Sequence, residues 1–400
     1  MLELAERIHR AQALHCVVHA WPQAVAESNG PLHGVALAHK DIFDLPGRAP
    51  GLGVDSGRPD PTRRRAAALE QLAKAGALQW GALAMAPHAC GATGQNPHFA
   101  RVINPIDPNA AIGGSSSGCA AAVAAGLSAF SLGTDTAGSV RIPAATCGLL
   151  GLKTTHGLID TAGCAPLAPS LDSIGVLARE VSALQAALAV LAPDLAPADA
   201  AAPARLCAWV PATGLGAAAA QALQSWCHAH QAQSLDLADT VAELSVHAQR
   251  VLCHEVAQTH RAALLDGSAD PAVEALGWMG LAMPQAWYEE SLALRGSWTA
   301  RVVAQVFAQA DVLVLPALPH GVPDWSVVHV GEPRFDARQL LALHHFMGFI
   351  NYLGLPALHV PIARDAQGRP LGVQLVGRPF AEHRLLALAS QQPSFFSDNP

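Results

Sequence analysis

Two short segments carry serines in settings where a hydroxyl can do chemistry: Gly113-Gly-Ser-Ser-Ser-Gly118 and Gly133-Thr-Asp-Thr-Ala-Gly-Ser-Val-Arg-Ile-Pro143, joined by an Ala-rich run. The three glycines of the first let its backbone approach a ligand closely, and the free N–H groups at the start of the helix that follows suit a developing negative charge. The second offers Thr136, Ala137, Gly138 and Ser139 in a row, consecutive backbone donors beside a hydroxyl, which is what an oxyanion next to a nucleophile requires. Acyl transfer is the chemistry these residues suit. A serine hydroxyl attacks poorly until a base takes its proton. Lys and Arg together number 24, yet only Lys40, Lys74 and Lys153 are lysines. Lys40 ends the apolar run Gly34-Val-Ala-Leu-Ala-His-Lys40, which predicts a buried strand delivering the amine to its tip. Burial lowers a lysine's pKa and leaves it basic.

Other chemistries fit less well. The first loop lacks the Gly-Lys-Thr/Ser ending of a phosphate-binding loop. Cys119 and Cys147 lie beside helix or sheet residues with no histidine partner in view, which predicts packing. His15 and His19 at i and i+4 have no third ligand nearby, and Cys227-His228-Ala-His230 is too compact for a zinc site, so neither a metal nor a cofactor is expected. Asp135 and Arg141 flank Ser139; they are read as a structural pair holding the loop, with carboxylate recognition by Arg141 as the other reading.

These residues need a scaffold. Residues 1–25 are predicted to carry an N-terminal helix, with Leu, Ile, Ala and Val at helical spacing over 2–20 and a stop before Pro22. A catalytic core is expected over 30–180, including a helix over Arg63–Ala77 closing at Gly76 and a strand near Ala77–Ala84. The Ala/Pro-rich stretch Ala192–Ala204 reads as an exposed connector. A strand over 205–210 opens a region read as mainly helical to residue 310 and interrupted near Gly267 and Pro284. Residues 311–390 are expected to return to the core sheet, giving one α/β core with an inserted helical region. Trp278, Met279, Met283, Trp287 and Tyr288, and later Phe346, Met347, Phe349 and Tyr352, read first as core; the other reading has them line a pocket for an aryl or apolar amide.

Hydrophobic residues make up 51% of the 400 and charged ones 14%, enough for a large core and unlike a disordered chain. A net charge of −7, with no basic cluster longer than Arg63-Arg-Arg65, argues against nucleic acid and anionic membranes as partners. The eight cysteines are scattered, with no C-x-x-C pair, and are read as reduced. No lipid-spanning stretch or cationic leader is seen, so a cytoplasmic location is the expectation.

The motifs resemble those of the amidase signature family of Ser-Ser-Lys amidohydrolases, of the small bacterial, malonamidase-like type. The likeness runs from Gly30-Pro-Leu-His-Gly34 and Lys40-Asp41, through Gly113–Gly151, to Gly354-Leu-Pro-Ala357 and Pro370-Leu-Gly-Val-Gln-Leu-Val-Gly377. It implies a central mixed β-sheet flanked by helices on both faces, with residues 205–310 as the variable region that selects substrate. It implies that Ser139 is the nucleophile, Lys40 the base and Ser115 the bridging serine, with a cis peptide between Gly114 and Ser115 and supporting hydroxyls at Ser117 and Thr134. Ala137 stands where many members have glycine; alanine keeps the N–H but requires an ordinary backbone angle. The expected reaction is C–N cleavage of a small amide, with a homodimer admitted. The alternatives are an allophanate- or biuret-type hydrolase and a glutamine-hydrolysing amidotransferase subunit.

Overall fold

The structure, a computed structural model, describes residues 2–195 and 204–397. Its strands in chain order are β1 (Val17–Ala20), β2 (Ala36–Lys40), β3 (Arg48–Ala49), β4 (Arg58–Pro59), β5 (Leu78–Leu83), β6 (Phe130–Asp135) and β7 (Leu150–Lys153), then β8 (Ser173–Ala178), β9 (Leu206–Ala208), β10 (Gln233–Ser234), β11 (Val312–Pro316), β12 (Ala357–Arg364) and β13 (Pro370–Gly377). Eleven of them form one sheet in the order β1-β5-β2-β6-β8-β7-β12-β13-β11-β9-β10; β3 and β4 pair separately. The sheet is mixed. β5, β2 and β6 run parallel, β8, β7, β12 and β13 each pair antiparallel with their neighbours, and β9 lies parallel to both β11 and β10.

Alternation along the central strands sends successive side chains to opposite faces. Leu37 joins an apolar cluster with Leu69 and Leu72 of the helix Ala67–Lys74 and Leu184 and Leu188 of the helix Val181–Leu191. Its neighbour Ala38 joins a different cluster, with Cys119–Ala124 of the helix Ser117–Ala124. Helices therefore cover both faces, and the central strands read as apolar runs because neither face meets water. Each fully buried Leu contributes on the order of 1.5–3 kcal/mol. The helix Ser117–Ala124 is buried all round and built almost wholly of small residues, so it sits close against the sheet. Gly118 marks the tightest approach: a Cβ there would lie 2.5 Å from the Ala84 nitrogen and from the Cys16 carbonyl oxygen.

The N-terminal expectation needs correction. The helix spans Leu4–Ala13 only; His15 takes φ 54°, and Val17–Ala20 forms the edge strand β1, antiparallel to β5. Cys16-Val-Val fits a helical period and an extended one equally, and as a strand it pairs the edge backbone groups of β5 that a longer surface helix would leave open. His15 and His19 consequently share no helix face. The helix expected over Arg63–Ala77 is also shorter, because Arg63 and Arg65 lie ahead of it in ion pairs with Asp44, Asp60, Glu27 and Glu70. Residues 196–203 of the Ala/Pro-rich connector lie outside the described residues.

Between β9 and β11 the chain is mainly helical, with Ala217–Ala229, Ala238–Thr259, Arg261–Asp266, Pro271–Ala282 and Gln285–Phe307. The breaks fall at Gly267, which is left-handed at φ 76°, and at Met283–Pro284. The two long helices pack through Val241, Leu244, Ala248 and Val251 against Trp298, Val302 and Val306, and through Phe349 and Ile350 onto the return segment.

Candidate active site

The site assembles where the parallel strands β2 and β6 end side by side. Their register pairs Leu37 with Phe130, Ala38 with Ser131 and His39 with Leu132, so Lys40 emerges next to Thr134. Ligand sites in α/β sheets gather at such carboxyl ends because the loops leaving adjacent strands converge there. Lys40 is fully buried, and its Nζ lies 2.7 Å from Ser115 Oγ and 2.8 Å from Thr134 Oγ1. Burial lowers its pKa to about 8. The Gly114–Ser115 peptide is cis.

The two serine loops are tied to each other: Ser116 N–H donates to the Ser139 carbonyl at 3.2 Å, while Ala86 N–H donates to the Ser115 carbonyl at 3.1 Å. Ser117 Oγ donates to the Ala84 carbonyl at 3.4 Å, so its hydroxyl anchors the helix start rather than facing Lys40. Gly138 takes φ 114° and Ala137 keeps an ordinary angle, as the alanine requires. Asp135 accepts the Gly138 N–H at 2.8 Å and the Val140 N–H at 3.1 Å. The Gly138 N–H is thus taken, whereas those of Thr136, Ala137 and Ser139 have no partner among the described residues. The Thr136 hydroxyl donates to Asp172 Oδ1 at 2.6 Å, and burial pushes the Asp172 carboxyl up.

Behind the loop, Arg141 and Asp135 form a fully buried two-point ion pair, with Nη2 to Oδ1 at 2.8 Å and Nε to Oδ2 at 3.0 Å. Burial alone would raise the Asp135 carboxyl; the Arg141 guanidinium outweighs it and holds that group well below the usual carboxylate range. Arg141 also donates to Gln374 Oε1 at 2.8 Å on β13 and to Asn351 Oδ1 at 2.6 Å on the helix Gly348–Tyr352. All of its charge is directed inward, which is the structural use of the pair; no surface is left for a substrate carboxylate. Lys153, also fully buried, donates to the Thr154 carbonyl at 2.6 Å, and burial lowers it to about 7. Cys119 and Cys147 are buried, with thiols pushed up to about 12 by desolvation.

Thr136, Ala137 and Ser139 open onto a cavity of about 1000 Å³. One wall is a face of the helix Ala238–Thr259, where Val241, Ala242, Ser245, Ala248, Gln249 and Leu252 recur at helical spacing. The others come from the loop Ala89–Ala92, Leu167 and Leu171, Trp209, Leu276 and Met279, and the segment from Leu340 to Phe349. Of the aromatic and Met-rich stretches, Met279 and Phe349 reach this cavity. Phe346, Met347 and Tyr352 are core, and Trp278 and Trp287 stay half exposed at the surface. Among the described residues the lining contains no lysine or arginine, and its one carboxylate is Asp236. Asn351, Asp172 and His344 were not singled out from sequence. Gln374 had a visible signal, a lone amide inside the apolar run Leu371–Val376.

A mixed α/β enzyme with paired serine loops on a buried lysine defines a class, the hydrolases of carbon–nitrogen bonds. The chain belongs to the Amidase family, the amidase signature enzymes, whose model matches residues 11–207 and 220–386. It is 30% identical to a glutamyl-tRNA(Gln) amidotransferase subunit of Ralstonia nicotianae, covering 96% of this chain and 91% of that one. It is 32% identical to the AtzE subunit of the 1-carboxybiuret hydrolase of a Pseudomonas species, over 88% and 82% of the two chains. Among solved structures it resembles a crystal structure of an amidase, with a TM-score of 0.84 and 28% identity over 97% of this chain and 93% of the other. Among the described residues no helix is long and apolar enough to cross a membrane.

Proposed function

We propose that the protein cleaves the C–N bond of an uncharged amide with an apolar acyl group, through an acyl-enzyme on Ser139. The observation that carries this reading is Lys40, fully buried and 2.7 Å from Ser115 Oγ. A neutral amine has two N–H groups and one lone pair. With Thr134 Oγ1 accepting one N–H, the lone pair is free to take the proton of Ser115, which in turn takes that of Ser139. Ser139 attacks the carbonyl carbon, and the carbonyl oxygen gains its charge facing the unpartnered N–H groups of Thr136, Ala137 and Ser139. The proton returns along the same relay to the leaving amine as the C–N bond breaks. Water then repeats the sequence on the acyl-enzyme. Gly138 takes no direct part, since its N–H already serves Asp135.

The cavity supports the substrate class. A carboxylate that leaves water without a paired cation pays an uncompensated desolvation cost, and among the described residues no lysine or arginine lines this cavity. A volume of about 1000 Å³ leaves room for an acyl group well beyond acetyl. The alternative, a glutamine-hydrolysing subunit, is favoured by the likeness to a glutamyl-tRNA(Gln) amidotransferase chain over nearly the whole length. It would have to hold an α-carboxylate, for which this lining offers no cation.

The test is amine or ammonia release from hexanamide, benzamide, an anilide, glutamine, malonamate and biuret, with Ser139→Ala as control. Ser139-dependent turnover of the first three, with little on glutamine or malonamate, is expected. Preferred turnover of glutamine, or co-purification with a partner that consumes the ammonia, would replace this reading with the alternative.

A further inference from the structure

His344 stands between the helices Ala337–Ala342 and Gly348–Tyr352 and lines the cavity together with Ala137 and Ser139. Its Nδ1 lies 2.9 Å from the Ala137 carbonyl oxygen. A carbonyl only accepts, so Nδ1 carries the hydrogen, and in the neutral ring Nε2 is then a lone-pair acceptor. Nε2 makes no hydrogen bond among the described residues, yet it is not among the enclosed, unpartnered polar atoms. Nε2 is therefore not fully enclosed, in a residue that lines the cavity. Burial lowers the pKa of the ring, favouring its neutral form. The first hydrogen bond fixes the tautomer, and it does so from the residue two positions before Ser139.

We infer that His344 is a specificity-determining residue that reads the amide itself, its Nε2 accepting the N–H of the scissile bond. The inference rests on the acyl-transfer reading above. One loop then holds both ends of the same peptide-like group: the free N–H groups of Thr136, Ala137 and Ser139 face the carbonyl oxygen, and the imidazole anchored on the Ala137 carbonyl faces the nitrogen. An ester has no such hydrogen and gains nothing from Nε2. A site built to accept a hydrogen discriminates against an analogue that lacks it, because the acceptor is left unpaired.

The experiment compares kcat/KM for hexanoyl p-nitroanilide and p-nitrophenyl hexanoate, which report acylation of the same serine by the same acyl group. His344→Asn keeps a donor near the Nδ1 position, for the Ala137 carbonyl, and loses the distal acceptor. His344→Gln reaches the Nε2 position with a carbonyl oxygen. The Asn variant should lose about tenfold on the anilide and change less than about twofold on the ester, and the Gln variant should keep most of the wild-type ratio. An equal fall on both substrates in the Asn variant, or an unchanged ratio, would mean that His344 only holds the loop and would overturn the inference. Should the Asn variant fail to fold, loss of the ratio in a folded Gln variant overturns it equally. Ser139→Ala separates the two readings: turnover that survives it removes the serine mechanism, whereas Ser139-dependent turnover with an unmoved ratio removes only the role of His344.

Discussion

If Lys40 is the base, kcat/KM must follow the fraction of its amine that is neutral. Burial lowers its pKa to about 8, so deprotonation, and with it activity, increases as pH rises. From about pH 6 to 7 kcat/KM should climb about ninefold, from 7 to 8 about fivefold, and from 8 to 9 less than about twofold, reaching a plateau. An unperturbed lysine near 10.5 would keep the tenfold slope past about pH 9. Thr134→Val sharpens the test. Thr134 Oγ1 accepts from Nζ at 2.8 Å, and an acceptor stabilises the ammonium more than the amine. Its removal should shift the profile to lower pH by about one unit, equivalent to about 1.4 kcal/mol. Burial lowers Lys153 too, to about 7, but it points at the Thr154 carbonyl and Ser173; Lys153→Met should leave the apparent pKa where it is. The assay is initial-rate amine release from the anilide at concentrations far below KM, over about pH 5.5–10 at constant ionic strength. A flat profile would refute the lysine base. So would a Thr134→Val profile displaced toward higher pH.

Arg141→Met leaves Asp135 buried and unpaired, and should cost about 3–5 kcal/mol in urea unfolding together with activity; a loss under about 1 kcal/mol would show that the pair does not hold the loop. Gly118→Ala drives a Cβ against main-chain atoms of Ala84 and Cys16 that cannot swing aside. The expected result is a loss of about 1–3 kcal/mol by thermal or urea unfolding, with weaker Ser139 labelling by a fluorophosphonate. Gln249→Arg places a cation in the cavity wall and should raise kcat/KM on succinamate about tenfold or more relative to hexanamide; an unchanged ratio would mean that acyl groups do not reach that wall.

Much of the chemistry was legible along the chain because it is local. The glycine and serine spacing of the two loops, and a lysine at the end of an apolar run, are adjacent in sequence for a physical reason: a strand end and the loop leaving it are consecutive residues. Those cues pointed to Lys40 and Ser139, the resemblance added Ser115, and the family the motifs resemble is the one the chain belongs to. Edge structure was less legible. Cys16–Ala20 satisfies two periods at once, and only pairing with β5 selects the strand.

Tertiary structure decided what depends on residues far apart in sequence. Asp135, four residues before Ser139, is held by Asn351, 216 positions away, and Arg141 by Gln374, 233 away; neither amide announces its partner in the sequence. The Gly138 N–H is an available donor in sequence, and only the folded loop shows it committed to Asp135. The charge of the cavity is a property of walls drawn from the loop before the first serine, the helical insertion and the return segment together. The chain by itself marked out the candidate reacting groups, because bonded neighbours carry their own geometry. Which amide reaches them is set by packing between segments that meet only in the fold.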